Sequence, residues 1–164
     1  MPHDAPPALP SARPPEGAAA VSAPVEDLGI VDGLAQLSFL VQAVLGKVAA
    51  EHGLSIIQLR LLGILRDRTP GMQELAGYLG LDKSSMTGLV DRAERRDLVQ
   101  RNPAPHDKRA VQVALTAQGH QLARALGVEV GKRIQTLTDA LTDTQRAQLS
   151  LLVSTLIAAD RTAA

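Results

Sequence analysis

A chain of 164 residues is long enough for one domain with a substantial core. Hydrophobic residues make up 45% of it but aromatics only 1%, so that core is aliphatic and lacks the rings that line many ligand pockets. The absence of cysteine excludes disulfides, thiolate metal sites and thiol redox sensing, and it fits a reducing cytoplasm.

A formal net charge of zero argues against a nucleic-acid partner until its distribution is read. Between Lys83 and Arg109 seven bases face four acids, a surplus of three. Within the first 33 residues Arg13 is the sole base, against Asp4, Glu16, Glu26, Asp27 and Asp32. Charge is segregated along the chain, and a local positive surface is what phosphates respond to.

Residues 1–24 are rich in Pro and Ala and show no hydrophobic periodicity, which predicts a disordered arm. The arm has no basic start followed by an apolar run, so it does not read as a secretory signal. No stretch reads as apolar for long enough to span a bilayer, so no membrane partner is expected. The folded domain is expected over 25–164. From about Val25 to His52, Val31, Leu34, Leu37, Val41, Val44, Leu45 and Val48 recur at steps of three and four, the mark of a long amphipathic helix. Gly53 stands where a C-terminal glycine ends such a helix. The apolar stripe is longer than one neighbouring domain needs, which points to a partner surface.

Ser55 and Gln58 form a capping-box pattern at the start of a helix that runs to about Asp67 and buries Ile57, Leu61, Ile64 and Leu65. Arg68-Thr-Pro-Gly71 breaks it. A short helix from Met72 to Leu79 buries Met72, Leu75, Ala76 and Leu79, and Gly80 supplies the turn. Asp82 is the N-cap of the next helix, Lys83 to Arg96, whose Met86, Leu89, Val90 and Ala93 face inward. Lys83, Ser84, Thr87, Gly88, Asp91, Arg92 and Arg95 are left on or near the outer face. Gly88 costs about 1 kcal/mol of helix stability relative to Ala, and a bare spot there lets the backbone approach a groove floor.

Leu98 to Asn102 and Ala110 to Leu115 alternate apolar and polar residues, the pattern of two half-buried strands. Pro103 to Arg109 between them reads as a polar loop, too long for a tight hairpin. Thr116 caps a helix to about Leu137, striped by Leu122, Leu126, Val130, Ile134 and Leu137. Thr142 and Gln145 form a second capping box, before a last helix carrying Leu149, Leu152, Val153, Leu156 and Ile157.

The predicted fold is therefore mainly α with a small β-wing: a winged helix-turn-helix over about 55–116, flanked by apolar helices over about 25–52 and 117–160. Helix, turn, helix and ribbon in this order would set one helix in a DNA major groove and a ribbon tip beside it. Lys83, Ser84, Ser85 and Thr87 are expected at bases and nearby phosphates, with Arg92, Arg95 and Arg101 on the backbone; Gly88 and Lys108 complete the DNA-facing set. Asp107 is expected to hold the wing extended, and Arg109 to enter a narrow minor groove. The surplus apolar surface of the flanking helices is most economically used in a dimer.

The run SSMTGLVDRAERRDLVQR, the wing residues Asp107-Lys108-Arg109 and the following Leu115-Thr-Ala-Gln-Gly119 resemble the MarR family of transcriptional regulators, over roughly Asp27 to Asp160. The resemblance implies a homodimer with interlocking terminal helices, a palindromic operator on double-stranded DNA, and relief of repression by a small aromatic or anionic ligand. The chain departs from the family pattern at Ala93 and Asp97, where Leu and Gly are usual, so a non-glycine residue must take the turn at 97. By analogy, a ligand site is expected near Phe39, His52 and Arg60.

His3, His52, His106 and His120 lack ligand spacing, so neither a metal nor a cofactor is expected; a sensor metal at His52 and His120 is the competing reading. No serine or histidine arrangement suggests a nucleophile with its base, and no glycine loop cradles phosphate, so the chain is not expected to be an enzyme. The alternative to DNA binding is a winged helix that binds protein partners only.

Overall fold

Three helices end in the same way, each closure written in two residues. The computed structural model describes residues 26–104 and 107–163 and runs α1 (Gly29–Glu51), α2 (Ile56–Leu65), α3 (Met72–Leu79), α4 (Lys83–Glu94), β1 (Val99–Ala104), β2 (Asp107–Leu115), α5 (Ala117–Leu137) and α6 (Asp143–Ala163). After α1, α3 and α4 the chain passes through a left-handed residue: Gly53 (φ 62°), Gly80 (φ 64°) and Asp97 (φ 54°). The next amide then donates back into the last turn, Leu54 to Ala49 O at 2.8 Å, Leu81 to Ala76 O at 3.0 Å and Leu98 to Ala93 O at 3.0 Å. These bonds pair carbonyls that a helix end leaves open. Each also turns a leucine inward. Leu54 and Leu98 are buried, and Leu81 packs half-buried against the same core.

Helix starts follow the expected chemistry. The Ser55 hydroxyl accepts from the Gln58 amide at 3.3 Å while the Ser55 amide donates to the Gln58 side chain at 2.9 Å. Thr142 and Gln145 repeat the arrangement at α6. Between these caps the core gathers Val48 and Ala49 of α1, Leu59, Leu61, Leu62 and Leu65 of α2, Leu75 and Leu79 of α3, the inner face of α4, Val99 and Val113 of the ribbon, and Ala123 and Leu126 of α5. Leu59 and Leu62 are buried beyond expectation, whereas Ile57, Ile64, Met72 and Ala76 are only half-buried. The reason is that α2 packs against α1, α3, α5 and β2 at once, so its buried surface is wider than one stripe.

The ribbon corrects the expected loop. β1 and β2 pair antiparallel from Val99↔Leu115 to Pro103↔Val111 and again at Ala104↔Asp107. Strand therefore replaces most of the loop expected over Pro103 to Arg109, and residues 105–106 lie outside the described part. Pro103 is tolerated because a two-stranded ribbon has only edge strands. The register shift after Pro103 leaves 108–110 outside the paired ladder. Pro70 O accepts the Val113 amide at 3.0 Å and Gly71 bridges Gln112, so the chain before α3 borders β2 as a one-residue third strand that the sequence pattern did not suggest.

The tightest contact lies where the ribbon hands over to α5. Leu98 O accepts the Thr116 amide at 3.2 Å, the Thr116 hydroxyl donates to Asp97 O at 2.6 Å, and its oxygen accepts the Gly119 amide at 3.0 Å. A Cβ on Gly119 would stand 1.9 Å from Leu98 O and 2.9 Å from its carbon. Only glycine fits.

Much apolar surface stays uncovered in the single chain: Ile30, Val31, Phe39 and Leu40 on α1 and Leu151, Leu152, Leu156 and Ile157 on α6 are all more than half exposed. Contrary to the expectation from periodicity, α1 is long and apolar enough to cross a bilayer by length and composition. A stripe of repeat positions says nothing of how few charges lie between them. The C-terminal turns of α1 are committed to protein, since Val48 and Ala49 are in the core.

Gly119→Ala is expected to cost at least about 3 kcal/mol by forcing Leu98 and α5 apart. Gly63→Ala, in the exposed α2 position with nothing within 4 Å of the added carbon, should instead gain about 0.5–1 kcal/mol. Urea denaturation of the two variants checks the contrast. Asp97→Gly should raise stability by about 0.5–1 kcal/mol in the same assay, because the left-handed backbone suits glycine better.

Candidate nucleic-acid interface

The outer face of α4 is set by the residue that starts it. Asp82 accepts the amides of Ser84 (2.8 Å) and Ser85 (2.9 Å), and the hydroxyls of both serines donate to the two oxygens of the same carboxylate at 2.6 Å. The Ser84 hydroxyl above all, then that of Ser85 and the Ser85 amide, hold the Asp82 carboxyl well below the usual carboxylate range. One turn on, the Thr87 hydroxyl donates to Lys83 O at 2.8 Å. All three hydroxyls expected at DNA thus already place their protons within the chain, and what they turn outward is lone pairs. Such a surface accepts from base amino groups, the donors of adenine and cytosine in the major groove.

Lys83, Ser84, Ser85, Thr87, Arg92 and Arg95 are exposed or partly so, and Gly88 is half-buried. Among the described residues none of Lys83, Arg92 and Arg95 has an ion-pair partner. Their charge is open to a polyanion. Gly88 has a second use beside close approach, since the Arg92 guanidinium folds back to within 3.3 Å of where a Cβ would sit. A concave surface lies on each side of α4, one of about 680 Å³ bordered by Gln73, Lys83 and Thr87 and one of about 310 Å³ bordered by Ser84, Gly88 and Arg92.

Arg101 is placed differently from expectation. It pairs with Val113 across the ribbon and shares that residue's inner face with Val99, so it points at α4. Its guanidinium binds Asp91 at 2.7 Å and also Glu94, and Glu94 accepts the Arg101 amide at 3.1 Å. A cation held by two carboxylates has less of its charge left for a phosphate than a free one. For Asp107, Lys108 and Arg109 the described structure gives backbone only: they begin β2, at and beside the register shift, with the expected roles of their side chains outside it.

Sequence reasoning missed one feature beside α4. On α3, Tyr78 donates to Glu74 at 2.7 Å, and the Arg68 guanidinium lies 5.1 Å from its ring centroid. A basic residue near the chain's sole tyrosine was the available signal.

Phe39, His52 and Arg60 are not brought together. Phe39 lies thirteen residues before His52 along α1, about 20 Å at the helical rise, and is 68% exposed. His52 Nε2 meets Glu129 of α5 at 2.9 Å, Arg133 joins Glu129 to Glu51, and Arg60 is exposed on α2. His52, first among its neighbours, holds the Glu129 carboxyl below its ordinary value. These contacts bolt α1 to α5. No cluster of three metal-ligating side chains occurs among the described residues, so His52 and His120 are not joined by an acid at a common site. A small cavity of about 220 Å³ does open between α2 and α5, floored by Leu59, Leu62, Leu126 and Val130 with Arg66 at its edge. Arg66 is held there by Asp67 at 2.7 Å.

Comparison with known proteins gives consistent answers. A MarR family model matches residues 52–110. The chain is 32% identical over 123 residues to the HTH-type transcriptional repressor NicR of Pseudomonas putida, covering 74% of this chain and 77% of that one. Among solved structures it is similar to wild-type apo MarR from E. coli (TM-score 0.70, 25% identity, 80% of this chain and 98% of that one). It is similar also to NadR in complex with 4-hydroxyphenylacetate (TM-score 0.65, 26% identity, 81% and 96%).

Because the Asp82 carboxyl is depressed in the folded chain, its contribution to stability is complete above the ordinary carboxylate pKa of about 3.9 and is lost as pH falls through the folded value. Asp82→Ala should therefore lower the thermal midpoint by a constant amount from about pH 5 to 8, and the gap from wild type should shrink in stronger acid. A gap independent of pH down to the acid limit of folding would assign the loss to something other than the charged cap.

Proposed function

This chain belongs to the MarR family of transcriptional regulators, and we propose that it is a repressor that binds a palindromic operator in duplex DNA as a homodimer. The observation that carries the reading is the outer face of α4, where three cations without ion-pair partners among the described residues flank outward lone pairs beside an antiparallel ribbon. Lys83, Ser84, Ser85, Thr87 and Gly88 face base edges and adjacent phosphates, Arg92 and Arg95 the backbone, and Lys108 and Arg109 the neighbouring minor groove, with Asp107 steadying the wing. Two such helices enter successive major grooves with half-sites about one helical turn apart. The uncovered apolar faces of α1 and α6 support the dimer, since two copies would cover each other's surface. The name of NicR supports repression, and the absence of cysteine agrees with action in the cytoplasm.

Release by a small aromatic acid follows the same logic. The cavity between α2 and α5 lies where the winged helix-turn-helix meets a flanking helix, and it offers an aliphatic floor with a guanidinium at its edge. The 4-hydroxyphenylacetate bound by NadR is an aromatic acid and has the matching chemistry. Shifting the two heads' spacing requires only a few kcal/mol of differential affinity.

Selection of bound fragments from random duplexes is expected to return an inverted repeat, which is then used in a salt series. Arg109→Ala should weaken binding and reduce the log–log salt slope by about 0.9, one phosphate equivalent. A chain that binds no duplex even at low salt would favour the protein-interaction reading instead.

A further inference from the structure

The recognition helix carries two acids near its C-terminal end, Asp91 and Glu94, on the face toward the ribbon. Negative charge there is disfavoured twice, by the helix dipole and by any phosphate drawn to Arg92 and Arg95. Arg101 answers both. It reaches from the inner face of β1, binds Asp91 with one nitrogen and Glu94 with the other, and its own amide donates to Glu94. Main chain and side chain of one ribbon residue are thus fastened to two successive turns of α4. Arg101 is only 28% exposed in this setting, so the pairs are partly withdrawn from water and screened less than surface pairs.

We propose that Arg101 is a positioning residue for DNA recognition: by clasping Asp91 and Glu94 it fixes the ribbon at one angle to α4 and so decides whether the ribbon tip meets the minor groove while the helix is in the major groove. The proposal rests on the DNA-binding reading above. It differs from a phosphate contact in what it predicts, because a positioning residue acts through Arg109 and a phosphate ligand acts beside it.

The test is a double-mutant cycle on the full chain bound to its selected operator. Arg109→Ala should weaken binding about tenfold in the wild-type background. In the Arg101→Gln background the same change should cost less than about twofold, since the tip is already misplaced. Arg101→Lys should behave like Arg101→Gln, because a lysine is a point charge that cannot bridge two carboxylates with a planar fork. Additive losses, or full recovery by lysine, would overturn the proposal and return Arg101 to the phosphate contacts. A second measurement needs no DNA. Amide exchange in β1 should quicken about tenfold in Arg101→Gln while α2 is unchanged; unchanged β1, or equal quickening in α2, would count against the clasp. Failure of the wild-type chain to bind any duplex would sink the functional reading, while the exchange result would still decide whether the clasp holds the ribbon.

Discussion

Everything in this molecule turns on one close approach, that of the Leu98 carbonyl to Gly119. At that point the end of α4, the start of β1 and the first turn of α5 occupy almost the same space, tied by Thr116 through three hydrogen bonds. The contact converts three elements into one rigid corner. A displacement of α5 must therefore be felt by α4 and the ribbon together. A second tie, between the end of α1 and α5, sets His52 and Arg133 against Glu51 and Glu129 and works through partly exposed charges. The corner is steric and the second tie is electrostatic, so the corner sets the geometry and salt weakens only the other.

Charge in this chain is arranged, not abundant. A neutral total hides a helix whose acids are covered by Arg101 and whose basic side chains Lys83, Arg92 and Arg95 stay unpaired among the described residues. Arg96 is removed from that open set by donating to Gly53 O at 3.0 Å, which closes the end of α1 against α4. The same residue type therefore serves three ends within ten positions: Arg92 and Arg95 face outward, Arg96 fastens the core, and Arg101 fastens the ribbon. Composition cannot separate these roles; the helical and strand periodicities around each residue can.

That distinction explains what is legible in the sequence. Caps and turn residues act on neighbours two to five positions away, so Ser55, Gly80, Asp82, Thr116 and Thr142 can be assigned from the string alone, and α3 is bounded to the residue. Asp97 is legible as a strained junction only through the family resemblance, which puts a glycine at that turn. What the string hides is non-local. The strand partner of Pro103, the bridge at Gly71, the clasp on Arg101 and the separation of Phe39 from His52 all depend on which elements meet. Arg101 is the instructive case, since the alternation of β1 already places it on the face of Val99. The apolar surplus of α1 and α6 is legible, but the fitness of α1 to sit in lipid hides behind its regular stripe.

Tyr78 is the sole tyrosine in a chain without tryptophan, and it lies on α3 beneath the Arg68 guanidinium, beside α4. Ultraviolet-excited emission from the whole molecule therefore originates almost entirely from one ring on α3. Optical titrations of this chain watch events at that end and are nearly blind to changes along α1 and α6, where the described residues include a phenylalanine and no brighter chromophore.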